Sequence, residues 1–448
     1  MATNLSNQFS SDIEAVIAAE TLPLAQRQLV AYKFGDPERI PEGRGTTLTM
    51  TRYNRLPLPY APLSEGVPPQ SNQMAISQVT VQVQQWGGLV LMTDVAELTI
   101  KHPVVSEAKK LISLQSAETL ERNTFNTFAG MTQVNYVNSR GSRYALQAGD
   151  VLNTYEINRA QVQLVNLGAP LYMGTEQTDE ELDAGRDAHK RAVKQPSPHY
   201  VAICHPFVQG DLRNNATFIQ SSSYSDINKL YGSEFGQWAG TRFVACNLVP
   251  FWTGLALVTG TPSASGGSLA TSTTYNIIVT YSDIQNQYES QLCQVSGNIS
   301  VTGSTGSISV VIPALAGYTA NVYIGTTSSP ANLAACSAGP TQGPFMGMAT
   351  QLATGQTVTL TAIGVAQTPP APVATGVTVY PTYIFGKGGY SQVVLSDIQI
   401  VLLTGPDKAD PLNQLREIGW KVFYGTLLKN VLFMLRVESA SAFSSTFG

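Results

Sequence analysis

The longest uninterrupted helical pattern in the chain runs from residue 102 to residue 130. Pro103 suits a first helical position because its missing N–H would be unpaired there anyway, and Gly130 is a natural C-terminal stop. Apolar side chains recur between them at steps of mostly three or four, which is typical of one buried stripe on an α-helix. The spacing therefore predicts a helix over 103–129, about 40 Å long. The residues expected in its core are Leu111, Leu120 and Phe125.

Charged side chains in the same stretch are expected mostly on the opposite, polar side of the helix. A rod of this length is too long for a compact small domain, so the rest of the chain is expected to supply elements that lie along it. The charged residues are Lys109, Lys110, Glu118, Glu121 and Arg122.

The composition limits the classes of function. Only 12% of the 448 residues are charged, about half the usual fraction. The net charge of −4 provides no polycation for tight DNA binding and no basic patch for a membrane surface. The length indicates two or more structural units. We expect a β-rich structural protein that can lie near DNA without adhering to it.

No targeting or membrane segment is expected. The first 16 residues lack a basic stretch followed by an apolar one, so they do not form a signal peptide. The most apolar stretch, residues 422–437, is interrupted by Lys429 and Arg436 and is interpreted as a buried helix. The chain is therefore expected to be made in the cytosol and to have no membrane partner.

A long hairpin is predicted before the helix. Two strand-like runs, Thr46–Tyr53 and Ser77–Trp86, alternate apolar and polar residues. The stretch between them contains five prolines, too many for a buried sheet. An isolated two-stranded hairpin is marginally stable in water, so we expect it to rest on another molecule. Residues 12–33 are predicted to form a short helix, broken near Pro23, in an N-terminal arm.

Several shorter elements are predicted after the long helix. Residues 154–167 read as a second helix, and residues 175–198 as an exposed charged loop. Residues 200–213 read as a buried strand followed by a turn at His205 and a helix, and residues 241–251 as another apolar strand.

Composition changes abruptly after Arg242. No basic residue occurs between Arg242 and Lys387, and the only acidic ones are Asp283 and Glu289. Short alternating runs separated by Gly, Ser, Thr and Pro predict an antiparallel β-sandwich inserted into the host unit. Its flanks, PSASGGS and TPPAPVATG, are interpreted as linkers.

The last segment is predicted to return to the core of the host. Strand pattern resumes after residue 376. Asp410 would cap a final helix and Pro411 would begin it. The predicted apolar face consists of Leu412, Leu415, Ile418, Val422, Leu427 and Leu428.

Catalytic chemistry is not indicated. Cys204 and His205 are adjacent, but neighbours in a strand point to opposite faces. Nucleotide-binding glycine motifs, zinc-protease motifs and Asp-rich calcium loops do not occur in the sequence. The four cysteines show no CxxC spacing. We expect no enzyme activity, no metal and no cofactor.

The host stretches resemble the major capsid proteins of N4-like tailed phages, which have the HK97-like capsid fold. They follow the family's order and cover most of residues 1–255 and 376–448. They are residues 46–53 followed by PLSEGVPP, then GGLVLMTD, YVAICHPFVQGDLR, VYPTYIFGKGGYSQV, DPLNQLREIGWKVFY and MLRVESAS.

The resemblance implies an α+β fold with named parts. The expected parts are an N-terminal arm at 1–45, an E-loop hairpin at 46–86 and the insertion at 257–375. The P-domain, which contains the spine helix, and the A-domain together account for residues 87–256 and 376–448. The insertion resembles immunoglobulin-like or fibronectin-like modules of phage virions. Such modules usually project outward, and by analogy of fold this one could touch host-cell glycans.

One feature departs from the wider fold. Some members cross-link covalently through an E-loop lysine and an asparagine of a neighbour. Residues 46–86 contain no lysine, so particle strength must come from non-covalent contacts, the N-terminal arm or a cementing protein. Residues expected to form ion pairs between subunits, or to be solvated charges of the hairpin, are Arg52, Arg55 and Glu65.

The resemblance implies a subunit that assembles with itself into hexamers and pentamers of an icosahedral shell around double-stranded DNA. Portal, scaffolding and decoration proteins are the further expected partners, with assembly in the host cytoplasm. A virion surface adhesin that binds glycans is the alternative, and a hydrolase with a carbohydrate-binding sandwich is a third class. Cys293 and Cys336, both in the insertion, could pair outside the cell or stay as buried thiols.

Overall fold

The structure is a computed structural model of the chain. It describes residues 30–41, 43–53, 56, 58, 71–99, 104–128, 130–172, 198–220, 233–271, 273–283, 289–293, 299–302, 306–326, 334–336, 352–366, 370–371, 373–403 and 414–444. Contacts divide the chain into two units. The first unit contains residues 1–130 and 388–431, and the second contains residues 131–387 and 432–448.

The first unit combines one long helix with a sheet and a hairpin. Elements are numbered in chain order. Its helices are α1 (Ala31–Phe34), α2 (Asp94–Thr99) and α3 (Val104–Phe128). Its strands are β1 (Asp36–Arg39), β2 (Thr47–Tyr53), β3 (Ile76–Gln82), β4 (Gln84–Thr93), β22 (Tyr390–Leu403) and β23 (Leu415–Leu428).

Four strands form the sheet of this unit in the order β1–β22–β23–β4. Its one parallel pair among the described residues is β1 with β22, and the other pairs are antiparallel. Alternate residues of β23 face the long helix, which packs along β23 and β4. The shared core contains Met92, Ala108, Ile112, Leu120, Ile418, Trp420, Val422 and Tyr424.

The predicted C-terminal helix is wrong, because residues 415–428 form β23. Ile418, Trp420, Val422 and Tyr424 are buried at a period of two, the period of a strand. The β-branched and aromatic residues of this stretch also favour a strand. The predicted helix start at Asp410 and Pro411 lies outside the described residues. The second half of the predicted buried helix at 422–437 likewise contains a strand, Met434–Ser439.

The second unit contains most of the strands. Two helices, α4 (Thr154–Asn166) and α5 (Pro206–Arg213), accompany them, with 3₁₀ turns at Val137–Ser139 and Arg143–Ala145 and a third at Val431–Phe433. The host strands are β5 (Val134–Tyr136), β6 (Tyr200–Cys204), β7 (Ile219–Gln220), β8 (Glu234–Trp238), β9 (Thr241–Ala245), β10 (Trp252–Leu255), β21 (Thr378–Phe385) and β24 (Met434–Ser439).

The host part of this sheet has the order β10–β21–β6–β9–β8–β7, with β24 joined to β21 and β5 to β24. Helices α4 and α5 confirm the predictions for residues 154–167 and 200–213. Asn153 caps α4 by accepting the Glu156 N–H, and His205 Nδ1 caps α5 by accepting the Phe207 N–H. The buried core includes Leu164, Tyr200, Phe243 and Ile384.

The described part of residues 257–375 forms two sheets over a core of its own. The strands are β11 (Gly260–Ser263), β12 (Thr274–Asp283), β13 (Glu289–Cys293), β14 (Ile299–Ser300), β15 (Ser307–Val311), β16 (Tyr318–Gly325), β17 (Ala334–Cys336), β18 (Leu352–Ala353), β19 (Thr357–Leu360) and β20 (Ile363–Ala366). One sheet has the order β11–β15–β19 and the other β20–β17–β16–β12–β13. Apolar residues of both line one buried cluster, among them Tyr275, Ile308, Val322 and Leu360.

The insertion is joined to the host by paired backbone, which corrects the prediction of two flexible linkers. Strand β10 pairs with β21 of the host and, in parallel, with β13 of the insertion. Part of PSASGGS is strand β11, and Val373 of TPPAPVATG is buried in a small core with Trp252. The two sheets of the insertion nevertheless enclose a separate hydrophobic core.

Candidate functional site

The hairpin of the first unit consists of β2 and β3, paired antiparallel in a two-stranded sheet. The register runs from Thr47 opposite Gln82 to Tyr53 opposite Ile76. This outcome confirms the predicted strand runs, with β3 ending before Val83 and β4 continuing beyond it. Polar cross-strand contacts support the pairing: the hydroxyls of Thr49 and Thr80 lie 3.2 Å apart.

Large apolar side chains are exposed towards the far end of the hairpin. Tyr53 and Ile76 face each other at the end of the described pairing, and both are more than half exposed. Contiguous exposed apolar patches larger than a few hundred Å² are rare on monomeric proteins and mark contact sites. The exposed set is Tyr53, Leu56, Leu58, Met74 and Ile76.

The charged residues expected to form contacts lie near the same end. Arg52 is exposed, and its Nε donates to the Ser77 hydroxyl across the hairpin at 3.4 Å. Arg55 and Glu65 lie outside the described residues. The ion pairs expected between subunits therefore stay predictions.

The base of the hairpin is fixed to the sheet of its unit. The Val83 N–H donates to the Thr46 carbonyl at 2.8 Å and closes the base. Val83 packs in a buried cluster with Ile40 and Val393, and Leu48 and Val81 of the hairpin pack against that cluster. The hairpin is therefore anchored at its base, while the described apolar residues towards its far end are exposed.

The long helix α3 spans Val104–Phe128, within a residue of the predicted bounds. Leu120 and Phe125 are buried, at 4% and 1% exposure. Leu111 is 51% exposed, which corrects its expected place in the core. The reason is the position of the sheet: Ile112 packs in the core with β23 and β4, and the adjacent Leu111 points about 100° further around the helix.

Glu121 is the clearest departure from the predicted polar side of the helix. It is fully buried, and its Oε1 accepts the N–H groups of Val30 and Ala31 at 2.9 and 2.6 Å. Its Oε2 accepts the Tyr32 N–H at 2.8 Å. Hydrogen bonds to a buried carboxylate are the strong class. They fasten the first described residues of the chain to the long helix. The sequence signal was its spacing, four residues after Ala117 and four before Phe125.

The adjacent Cys204 and His205 do not form a catalytic pair. Cys204 is buried in β6, and burial raises the pKa of its thiol, which keeps it protonated and unreactive. Burial lowers the pKa of His205 to about 4. The His205 ring instead packs among Phe207, Phe251 and Tyr380, with centroids 5.0, 5.7 and 4.9 Å away.

The part of the chain that the structure describes contains no group of three or more His, Cys, Asp or Glu side chains that could hold a metal ion. None of its helices is long and apolar enough to cross a membrane.

The strand order keeps Cys293 and Cys336 apart. Cys293 ends β13 and Cys336 ends β17, and strands β12 and β16 lie between them. Three strand spacings correspond to about 14 Å, whereas bridged cysteines have Cα atoms within about 7 Å. A disulfide between them within one chain would therefore require the sheet to come apart.

The described residues form an α+β protein with an anchored hairpin, and this fold is similar to that of bacteriophage capsid proteins. The capsid protein of Ralstonia phage GP4 is similar with a TM-score of 0.52 and 8% identity, over 96% of this chain and 95% of that one. Two further capsid structures fall below 0.5. They are those of Helicobacter pylori bacteriophage KHP40 (TM-score 0.49, 8% identity, 98% of each chain) and cyanophage Pam1 (0.48, 10%, 96% of this chain and 97% of that one). No family model matches the chain, and neither does any curated protein.

Proposed function

We propose that the chain is the major capsid protein of a tailed phage, of the N4-like kind with the HK97-like fold. The observation that carries this proposal is the likeness to the Ralstonia phage GP4 capsid structure over 95% of that chain. An anchored hairpin with an apolar far end supports it, because such a hairpin needs a surface on another molecule.

In this proposal, copies of the chain form hexamers and pentamers through head-to-tail contacts that close under symmetry. The hairpin of one copy lies over its neighbour, and Arg52, Arg55 and Glu65 help to set the register. Exposed ion pairs contribute only about 0–1 kcal/mol each, so the apolar residues of the hairpin supply most of the contact energy. The chain has no enzyme activity.

The shell encloses double-stranded phage DNA without binding its sequence, consistent with a net charge of −4. Portal and scaffolding proteins, and in some particles a decoration protein, complete the assembly in the host cytoplasm. The insertion projects from the outer surface. Because it contains no basic residue, host-surface glycans without anionic groups are the partner we assign to it.

The hairpin contacts are tested by replacing Tyr53, Met74 and Ile76 with serine in the full chain. All three are exposed, so the subunit should fold normally. Negative-stain microscopy should then show soluble subunits or small oligomers instead of closed shells. The matched control is Val311→Ser, which removes an exposed apolar side chain from the insertion and should leave shells intact.

A deletion tests the same point more severely. Removal of residues 57–70 with a short glycine bridge should give soluble subunits that fail to close shells. Normal particles from either the serine variant or this deletion would refute the role of the hairpin.

A further inference from the structure

Arg143 lies in the 3₁₀ turn Arg143–Ala145 and is almost completely buried. Its Nε donates to Glu438 Oε2 at 2.7 Å, and its Nη2 donates to Glu438 Oε1 at 2.6 Å. This is the two-bonded arrangement in which a planar guanidinium matches a carboxylate. Glu438, on β24, is fully buried, so the pair fixes the guanidinium in one orientation.

The charges of this pair are compensated inside the unit. Burial alone would raise the pKa of Glu438, but Arg143 and Arg436 together hold that pKa below its usual value. Arg436 Nε lies 3.0 Å from Glu438 Oε1. The carboxylate thus has two cationic neighbours, Arg143 and Arg436.

Arg143 also contacts both ends of the insertion. The outgoing stem is β10 (Trp252–Leu255), and the returning stem is the described part of residues 370–377. Arg143 Nη1 donates to the Ala371 carbonyl on the returning stem at 3.2 Å. The guanidinium carbon lies 3.7 Å from the centre of the Trp252 ring on the outgoing stem, close enough for a cation–π contact.

The two stems are bonded to each other at the same place. The Gly254 N–H donates to the Val377 carbonyl at 2.9 Å, and the Gly376 N–H donates to the Gly254 carbonyl at 3.0 Å. A Cβ at Gly254 would collide with the Ala374 carbonyl, so only glycine permits this approach. Trp252, Val373 and Val377 share a small buried core beside them.

We propose that Arg143 is a positioning residue that holds the insertion in one orientation relative to the host sheet. Strand β10 lies between β21 of the host and β13 of the insertion. The orientation of β10 therefore sets the orientation of the insertion strands that continue the sheet from β13. Arg143 joins the outgoing stem, the returning stem and the host strand β24 through one rigid group. The inference holds whether or not the chain forms shells.

Hydrogen–deuterium exchange of the full chain tests this role, read at peptides that contain the amides of Gly254, Gly376 and Val377. Arg143→Met removes the donor to Ala371 and the charge over Trp252, while Arg436 still faces Glu438. Exchange at the stem amides should accelerate by about tenfold or more, because a charge-assisted bond no longer opposes local opening. Amides of β6 and β9 in the host core should keep their protection.

Two further variants separate positioning from general stability. Arg436→Met removes a cation from the same carboxylate but leaves the bond from Arg143 to Ala371, so it should not accelerate exchange at the stems. Trp252→Leu keeps the buried ion pair and apolar bulk, so it should fold even if Arg143→Met does not, and it should accelerate exchange at the stems. Unchanged stem exchange in Trp252→Leu, or equal acceleration in Arg436→Met, would overturn the proposal.

Discussion

The partly buried His205 makes a quantitative prediction for the stability of the second unit at mildly acidic pH. Its ring lies among three aromatic residues, and its Nδ1 accepts the Phe207 N–H at 3.3 Å. Protonation would place a charge among apolar rings and remove that acceptor. Burial accordingly lowers the pKa of His205 from 6.5 to about 4.

The sign of the effect follows from proton linkage. Because the pKa is lower in the folded state, the unfolded chain binds the proton more readily between pH 6.5 and pH 4. The free energy of unfolding should therefore fall as the pH drops through this range. The full loss is about 3 kcal/mol, of which about 2 kcal/mol should appear between pH 7 and pH 5.

Urea denaturation of the purified, unassembled chain at pH 7 and pH 5 measures this loss. His205→Asn keeps an N-cap acceptor but cannot titrate, so its free energy of unfolding should fall by about 2 kcal/mol less than that of the wild type. Phe207→Leu keeps the titrating group and an apolar side chain beside it, so it should keep most of the wild-type pH dependence. Equal pH dependence in the wild type and His205→Asn would refute the reasoning.

Three further predictions concern the first unit and the insertion. Leu120→Ala should lower the free energy of unfolding by about 2–4 kcal/mol in urea denaturation, and the exposed Leu111→Ala by less than about 0.5 kcal/mol; similar losses would contradict the assigned burial. Glu121→Gln places an amide donor against one of the three N–H groups that the carboxylate accepts, so limited proteolysis should cut near residue 30 faster than in the wild type; an unchanged cleavage rate would argue against the anchor. Replacing residues 260–374 with a short glycine bridge should give soluble protein that still forms shells under the microscope; insoluble protein would count against a separately folding insertion.

Local patterns predicted several elements correctly. The long helix, the two hairpin strands, α4, and the strand and helix at 200–213 all had a clear period and clear end signals. The alternating runs of the insertion likewise gave strands that enclose a core. These elements follow from side chains that are close in sequence.

The wrong predictions concern residues whose structure is determined by contacts with residues far away in the sequence. Residues 415–428 contain apolar side chains three or four positions apart, at 415, 418 and 422, as well as an alternating apolar run from 418 to 424. Pairing with β22 and β4 selects the strand. Leu111 and Glu121 exchange their expected environments because one faces away from the sheet and the other accepts backbone N–H groups of residues about 90 positions earlier. Such partners leave little trace in a local pattern.

Local sequence patterns could not predict the contacts of Arg143 either. Its partners, Trp252, Ala371 and Glu438, are 109 to 295 positions away in the chain. The returning stem reads as a proline-rich linker because nothing near it in sequence shows that its valines are buried. Only the fold brings the three segments together.

Electron microscopy of the purified, full-length protein after overexpression tests the central proposal most directly. A capsid subunit should form closed, thin-walled shells built from rings of five and six copies, with the insertion as a regular projection on the outer surface. Rod-like particles, or a monodisperse monomer under all assembly conditions, would contradict the proposal.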